Sequence, residues 1–130
     1  MEQKPYIYLI EDDELMVGMY ARLLKLSGFE VQVAMTGEDA MKQFLEMSEK
    51  PAAIVLDIMV PGVSGFEILE YLKKESVLKD VPVIVLSNLF EQSDINTAMR
   101  AGAAAYLVKS QNEPDDVVAK IREVLVGQGT

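Results

Sequence analysis

Residues 6–13 read YIYLIEDD, five apolar residues followed directly by three acids. An apolar run without polar alternation is typical of a strand that is buried on both faces, as in a parallel sheet. Further short apolar runs occur at residues 53–56, 83–86 and 104–108, and a briefer β-branched stretch lies near residues 30–34. The chain therefore contains five candidate strands, and the first of them is followed by acidic groups.

The segments between these strands have helical periodicity. Apolar residues recur there at spacings of three and four, and we interpret each stripe as the core-facing side of a helix. The predicted stripes are Met16, Met19, Tyr20, Leu23 and Leu24; Ala40, Met41, Phe44 and Leu45; Gly65, Ile68, Leu69 and Leu72; Ile95, Ala98 and Met99; and Val117, Val118, Ile121, Val124 and Leu125. Five alternating strand–helix units predict an α/β fold with a five-stranded parallel sheet and helices on both faces.

Local signals place the helix boundaries. Ser64 and Glu67 have the spacing of a capping box, and Pro114 suits the first turn of the last helix. Gly28 and Gly127 suit the ends of the first and last helices. We expect a single domain over residues 1–130, with regular structure from about residue 5 to residue 126 and a tail at 127–130.

The composition excludes several kinds of chemistry. The 130 residues contain neither cysteine nor histidine, and the formal net charge is −9. Disulfides and thiolate metal sites are therefore excluded, and a reaction that needs an imidazole must take it from another molecule. An acidic chain repels phosphate backbones, so we expect no direct nucleic-acid binding. Without a signal-peptide pattern or a membrane-length apolar run, we expect a cytoplasmic protein with no membrane contact.

Polar residues follow four of the predicted strands. Sites in open parallel sheets form beyond the carboxyl ends of the strands, and the residues there are Glu11, Asp12, Asp13, Asp57, Ser87, Asn88 and Lys109. Crowded carboxylates repel one another, and a hard cation with oxygen ligands, Mg²⁺ or Mn²⁺, would relieve that repulsion. A carboxylate can attack phosphorus, with a metal and a lysine offsetting the charge. These polar residues at the ends of the strands therefore predict a phosphoryl-transfer site.

Each of these signals also has a purely structural explanation. Acids after a strand are often helix caps or solvated loop residues, and Asp57 precedes a Pro-Gly turn. A serine or a lysine at the end of a strand usually has no chemical role. The specific feature is the combination of these groups at the ends of four strands.

These residues resemble the receiver domain of bacterial two-component response regulators over essentially the whole chain. The resemblance rests on residues 9–12 (LIED), 56–65 (LDIMVPGVSG), 85–87 (VLS), 102–103 (GA) and 106–109 (YLVK). It implies a doubly wound, flavodoxin-like (βα)5 fold. It also implies a phosphorylation-activated signalling switch, which catalyses only its own phosphoryl transfer and autodephosphorylation.

The resemblance assigns roles within the site. Asp57 is implied as the phosphoacceptor. Asp12 and Asp57 are implied as direct ligands of Mg²⁺ or Mn²⁺, with Glu11 acting through water and the main-chain carbonyl of Met59 as a further ligand. Asp13 is expected outside the pocket, although a shift of one residue in register would exchange these roles.

The resemblance also implies a switch and its partners. Lys109 is expected to pair with the phosphoryl group, and Ser87 and Tyr106 to act as the switch pair. The donor is expected to be a phosphohistidine on a sensor histidine kinase or a histidine phosphotransfer domain. Phosphorylation is expected to shift the surface formed by the fourth helix, fifth strand and fifth helix. A phosphorylation-dependent homodimer is compatible with this, and the downstream protein or attached output domain is left open.

The sequence departs from the family pattern at three places. Ser110 stands where a proline, often in a cis bond, usually follows the lysine. Because a cis bond before a residue other than proline costs about 3 kcal/mol, we predict a trans bond or a rearranged loop here. Asn88 replaces a very small residue beside the phosphate pocket. Val60 and Val63 replace longer apolar residues.

Three competing functions remain at this point. An aspartyl phosphatase would need a second Asp two residues after the nucleophile, where Met59 stands. A flavodoxin-like electron carrier would need a phosphate-cradling loop after the first strand, where three acids stand. A degenerate receiver that binds partners without phosphorylation is kept open by Asn88 and Ser110.

Overall fold

The computed structural model describes residues 4–74 and 76–128, and over them strands and helices alternate. The strands are β1 (Tyr6–Ile10), β2 (Glu30–Ala34), β3 (Ala53–Leu56), β4 (Val83–Ser87) and β5 (Ala105–Val108). The helices are α1 (Glu14–Leu26), α2 (Gly37–Glu46), α3 (Gly65–Lys74), α4 (Gln92–Arg100) and α5 (Pro114–Gln128). A 3₁₀ turn, Lys109–Gln111, joins β5 to α5. The predicted order of elements is confirmed.

The strands form one parallel sheet in the order β2-β1-β3-β4-β5. Ile10, the last residue of β1, lies opposite Leu56, the last residue of β3. The next residues, Glu11 and Asp57, therefore leave the sheet side by side. The predicted five-stranded, doubly wound parallel sheet is confirmed.

The two faces of the sheet build two cores. In β1, Tyr8 and Ile10 pack into a cluster with residues of α2, α3 and α4. Ile7 and Leu9 pack into the opposite cluster with residues of α1 and α5. Successive strand residues point to opposite faces, so a strand covered on both sides is apolar along its length, and the buried Ser87 that ends β4 is the exception. This burial explains the uninterrupted apolar runs of β1, β3 and β4, whose residues are all buried.

The predicted helix stripes are too wide at three positions. Leu45 is 78% exposed, Met99 43% and Met19 39%. Each is next to a buried residue in the chain, and neighbours on a helix are rotated by about 100° from each other. Phe44, Ala98 and Tyr20 take the core-facing positions, so their neighbours turn towards solvent. The assignment of these three residues to the core was wrong.

Two glycines expected to end helices behave differently. Gly28 has φ +100° and terminates α1 as predicted. Gly127 continues α5, which ends at Gln128, so the predicted tail was wrong at residues 127 and 128. Residues 129 and 130 of that tail lie outside the described residues, as do residues 1–3. Within the described part of the chain, α5 and the other helices are too short or too polar to cross a membrane.

Replacement of a buried leucine should be far more costly than replacement of an exposed one. Leu72 of α3 is fully buried, whereas Leu45 of α2 is 78% exposed. Leu72→Ala should lower the free energy of unfolding by about 3 kcal/mol, because it removes buried apolar surface and leaves a cavity. Leu45→Ala, the matched control, should change it by less than about 0.5 kcal/mol. Urea denaturation measures both, and equal losses would contradict the assigned packing of α2.

Candidate functional site

Three carboxylates meet at the carboxyl edge of the sheet. One oxygen from each of Glu11, Asp12 and Asp57 lies within 4.8 Å of the others. The residues Glu11 and Asp57 are only 1% and 6% exposed, whereas Asp12 is exposed. The strand register causes this crowding, because β1 and β3 end at the same level of the sheet. The site is open to solvent on the side of Asp12.

Lys109 bridges the two buried acids. Its Nζ lies 2.7 Å from Oδ2 of Asp57 and 2.5 Å from Oε1 of Glu11. Burial by itself would lower the pKa of Lys109, but the hydrogen bonds to Asp57 and Glu11 outweigh it and the pKa is raised. Burial raises the pKa of Glu11, and the Lys109 ammonium opposes that shift. The ammonium therefore stabilises two carboxylates that would otherwise repel each other.

The charge balance of this cluster suits a divalent cation. With every group ionised, the three carboxylates face one ammonium, which leaves two negative charges without a partner in the cluster. The donors are all oxygen, the ligand type that Mg²⁺ and Mn²⁺ prefer. The residues present therefore fit the cation that the sequence predicts.

Asp13 has a structural position outside this cluster. It is the N-cap of α1, and its carboxylate accepts hydrogen bonds from the main-chain N–H groups of Leu15 at 3.0 Å and Met16 at 3.3 Å. Such a bond satisfies a free N–H at the start of a helix. The third acid of the run therefore caps a helix, and the first two face the site.

The loop after β3 holds Asp57 in place. The Asp57 N–H donates to the Ile10 carbonyl at 3.0 Å, and Asp57 Oδ1 accepts from the Met59 N–H at 2.9 Å. The second carboxylate oxygen faces Lys109. Both oxygens of Asp57 are thus oriented, one by the main chain and one by an ammonium. The Met59 side chain is 57% exposed.

Ser87 and Tyr106 meet through the main chain of Leu89. Ser87 is fully buried, and its Oγ accepts from the Leu89 N–H at 3.4 Å. The hydroxyl of the half-buried Tyr106 donates to the Leu89 carbonyl at 2.7 Å. Burial raises the pKa of Tyr106, Asp94 and Asp57 add smaller shifts in the same direction, and a hydrogen bond with the Ser87 side chain opposes them. Sequence reasoning did not single out Leu89, because a main-chain contact leaves no side-chain signal.

The turn that carries Lys109 is clamped by Asn112. The Asn112 side-chain amide donates to the Val108 carbonyl at 2.9 Å, and its main-chain N–H donates to the Lys109 carbonyl at 3.4 Å. No peptide bond in the described residues is cis, so the predicted trans bond before Ser110 is confirmed. Asn112 was missed in the sequence, since it follows the strand by four residues. Asn88 is exposed, next to Ser87.

The response regulator receiver domain family matches residues 7–122 of the chain. This chain belongs to that family. Membership separates the receiver domain from the aspartyl phosphatases and electron carriers that its sequence left open. It also makes the domain a signalling module of two-component systems, as the resemblance predicted.

Individual relatives agree with this assignment. The probable transcriptional regulator ycf27 of Pyropia yezoensis is 37% identical over 123 residues, which are 95% of this chain and 48% of that protein. The phosphate regulon transcriptional regulatory protein PhoB of Escherichia coli is 33% identical over 119 residues, 92% of this chain and 51% of that protein. The receiver domain thus spans about half the length of these relatives.

A solved structure agrees as well. The CheY-like response regulator receiver domain protein of Methanospirillum hungatei superposes with a TM-score of 0.87 and 25% identity. The superposition covers 98% of each chain. The backbone of the receiver domain therefore matches a known member over nearly its whole length.

Loss of Lys109 should destabilise the metal-free domain. Lys109→Met leaves Glu11 and Asp57 buried without a cation, and removal of one partner of a buried ion pair typically costs about 3 kcal/mol. Lys120→Met is the matched control, because Lys120 pairs with Glu123 at 3.2 Å on the surface, where pairs contribute at most about 1 kcal/mol. Chemical denaturation with a chelator present measures both. Equal losses would contradict the stabilising role of Lys109.

Proposed function

We propose that this receiver domain accepts a phosphoryl group on Asp57 from a phosphohistidine of a sensor histidine kinase or a histidine phosphotransfer domain. Mg²⁺, or Mn²⁺ in its place, would be bound beside the acceptor. The observation that carries the proposal is the approach of the Glu11, Asp12 and Asp57 oxygens to within 4.8 Å of one another, with Lys109 on two of them. The absence of histidine from the chain requires the imidazole to come from the partner.

Asp57 is the nucleophile in this proposal. One carboxylate oxygen forms a bond to phosphorus while the phosphorus–nitrogen bond of the donor breaks, and the electron pair of that bond leaves with the imidazole. The product is an acyl phosphate. The contact with Met59 N–H supports an orienting role for the loop, because it fixes one oxygen and so the plane of the carboxylate. Attack of water on phosphorus would break the bond to the Asp57 oxygen, release inorganic phosphate and regenerate the carboxylate, which is the autodephosphorylation expected of the domain.

Lys109, and the cation that the acidic residues would hold, would offset the negative charge of the phosphoryl group during its transfer. Lys109 already contacts Asp57 and would follow the phosphoryl oxygens as negative charge is added there. We assign Asp12, Asp57 and the Met59 carbonyl as direct ligands of the cation and Glu11 as a ligand through water. When bound, the cation supplies charge neutralisation for the phosphoryl oxygens. The exposure of Asp12 supports its role as the ligand nearest to solvent.

Ser87 and Tyr106 would link the negative charge of the phosphoryl group to a change in the shape of the protein surface. A phosphoryl group adds strong acceptor oxygens, so the Ser87 hydroxyl is expected to turn towards it. The bond from Leu89 N–H to Ser87 Oγ, at 3.4 Å, is longer than an ordinary hydrogen bond and is readily given up. Leu89 also binds the Tyr106 hydroxyl. Movement of the segment that contains Leu89, between β4 and α4, would therefore shift Tyr106. The surface of α4, β5 and α5 would then move between two pre-existing states.

The output of the switch is expected to pass through protein contacts. The net charge of −9 argues against direct contact of this domain with nucleic acid. The relatives named as transcriptional regulators are about twice as long as this chain, so we assign any such output to an attached domain or a downstream protein. A homodimer formed on phosphorylation is another route. We place the domain in the cytoplasm, beside its phosphodonor.

Labelling with a small phosphodonor tests the acceptor. Wild-type protein incubated with acetyl phosphate and Mg²⁺ should gain the mass of one phosphoryl group, and Asp57→Ala should gain none. Asp13→Ala is the matched control: it removes a neighbouring acid that caps α1, so it should still be labelled although it loses about 1 kcal/mol of stability. Intact-mass spectrometry measures all three. Equal labelling of wild type and Asp57→Ala would remove Asp57 from its role and favour a degenerate receiver.

Stabilisation by Mg²⁺ tests the metal ligands. At about 100 times its dissociation constant, a ligand that binds only the folded state stabilises it by about 2.7 kcal/mol. Asp12→Asn should abolish most of this gain while changing the metal-free stability little, because Asp12 is exposed. Glu14→Gln, an exposed acid two residues away, should keep the full gain. Thermal denaturation with and without Mg²⁺ measures this, and an undiminished gain in Asp12→Asn would exclude Asp12 as a ligand.

A further inference from the structure

The loop between β3 and α3 is contacted from outside by the first turn of α2. The Gly37 N–H donates to the Pro61 carbonyl at 3.0 Å, and Gly37 is buried. A Cβ atom at Gly37 would lie 2.5 Å from the carbonyl oxygen of Val63 and 2.9 Å from its nitrogen. Ordinary contacts of a Cβ begin at 3.4 Å. The backbones of α2 and the loop therefore touch directly, with no room for a side chain between them.

The other side of this loop is fixed on the sheet and α3. The Asp57 N–H is bound to Ile10, and the Gly65 N–H donates to the Ile58 carbonyl at 3.1 Å. Ile58 and Val60 are buried, at 5% and 6% exposure. Residues 57–60 are thus anchored from the sheet side, and residues 61–63 are anchored by α2. Met59, with the carbonyl assigned above to the cation, belongs to the first of these segments and lies two residues before Pro61, where the contact with α2 begins.

Glu38, the next residue of α2, covers the same loop. Its carboxylate lies directly over Gly62, where a Cβ would collide with both carboxylate oxygens. Gly62 has φ +88°, a conformation that favours glycine. Thr36 caps the turn by accepting the Asp39 N–H at 3.1 Å. The first turn of α2 is therefore held by its own cap as well as by its contacts with the loop.

We propose that Gly37 is a positioning residue for the metal site, acting through the loop that carries Met59. This inference rests on the metal ligands proposed above. Mg²⁺ demands near-octahedral geometry with ligand distances of about 2.0–2.1 Å, so displacement of the loop by a fraction of an ångström should weaken binding. Because coupling between two sites is reciprocal, an occupied metal site should in turn stiffen the first turn of α2. The site then acts on α2 as well as on the surface of α4, β5 and α5.

Two glycine variants of the full chain test the proposal. Gly37→Ala must push the loop, whereas Gly18→Ala of α1 is a matched control, because a Cβ at this helical glycine meets nothing within 4 Å. Gly37→Ala should bind Mg²⁺ about tenfold more weakly, and Gly18→Ala should bind as wild type does. Isothermal titration calorimetry well below the unfolding temperature measures the affinities.

The kinetics of labelling separate positioning from a general structural role. In Gly37→Ala, the Mg²⁺ concentration that gives half-maximal labelling by acetyl phosphate should rise about tenfold. The rate at saturating Mg²⁺ should stay near that of wild type. A merely structural contact would lower the melting temperature and leave both the affinity and the half-maximal concentration unchanged, and that result would overturn the proposal.

A measurement on wild type covers the case in which Gly37→Ala does not fold. Addition of Mg²⁺ should slow hydrogen exchange of the Gly37 amide, measured by NMR, because its bond to Pro61 becomes harder to open. Protection around Met59 without protection of Gly37 would overturn the proposal. Failure of wild type to bind Mg²⁺ would contradict the proposed metal ligands and this inference with them. Wild-type affinity in Gly37→Ala would contradict this inference alone.

Discussion

The crowding of Glu11 and Asp57 at one edge of the sheet is the constraint on which the site depends. Parallel pairing that sets Ile10 opposite Leu56 leaves the next two side chains no alternative but to be neighbours. Two buried carboxylates in such a position destabilise each other unless a positive charge lies between them. Lys109, delivered by β5, supplies that charge. One ammonium cannot balance a third acid, Asp12, so the cluster keeps a negative charge that would favour a further cation.

A rigid scaffold makes this unfavourable arrangement tolerable. Two separate cores, one on each face of the sheet, hold the strands whose ends carry the acids. Buried ion clusters contribute little net stability, so the free energy that keeps the carboxylates together must come from apolar burial elsewhere. A long hydrogen bond of the site, from Leu89 N–H to Ser87 Oγ at 3.4 Å, lies where a switch would have to open.

Main-chain contacts connect the site to its surroundings. Leu89 binds Ser87 through its N–H and Tyr106 through its carbonyl. Asn112 clamps the turn that carries Lys109. Gly37 brings the backbone of α2 against the loop that follows Asp57. Peptide groups are planar and form directional hydrogen bonds, so these contacts fix the relative positions of the segments that they join.

The sequence by itself determined the strands, their alternation with helices along the chain, and the residues expected at the site. Apolar runs report burial on both faces, and the polar residue that ends each run must lie at the shared edge of a parallel sheet. Only the tertiary structure decided which apolar helix residues face solvent, as Leu45 and Met99 do. It alone also revealed the main-chain contacts of Leu89, Asn112 and Gly37. Their contacts join segments distant in the chain through peptide groups that every residue possesses, so no pattern of side chains could have predicted them.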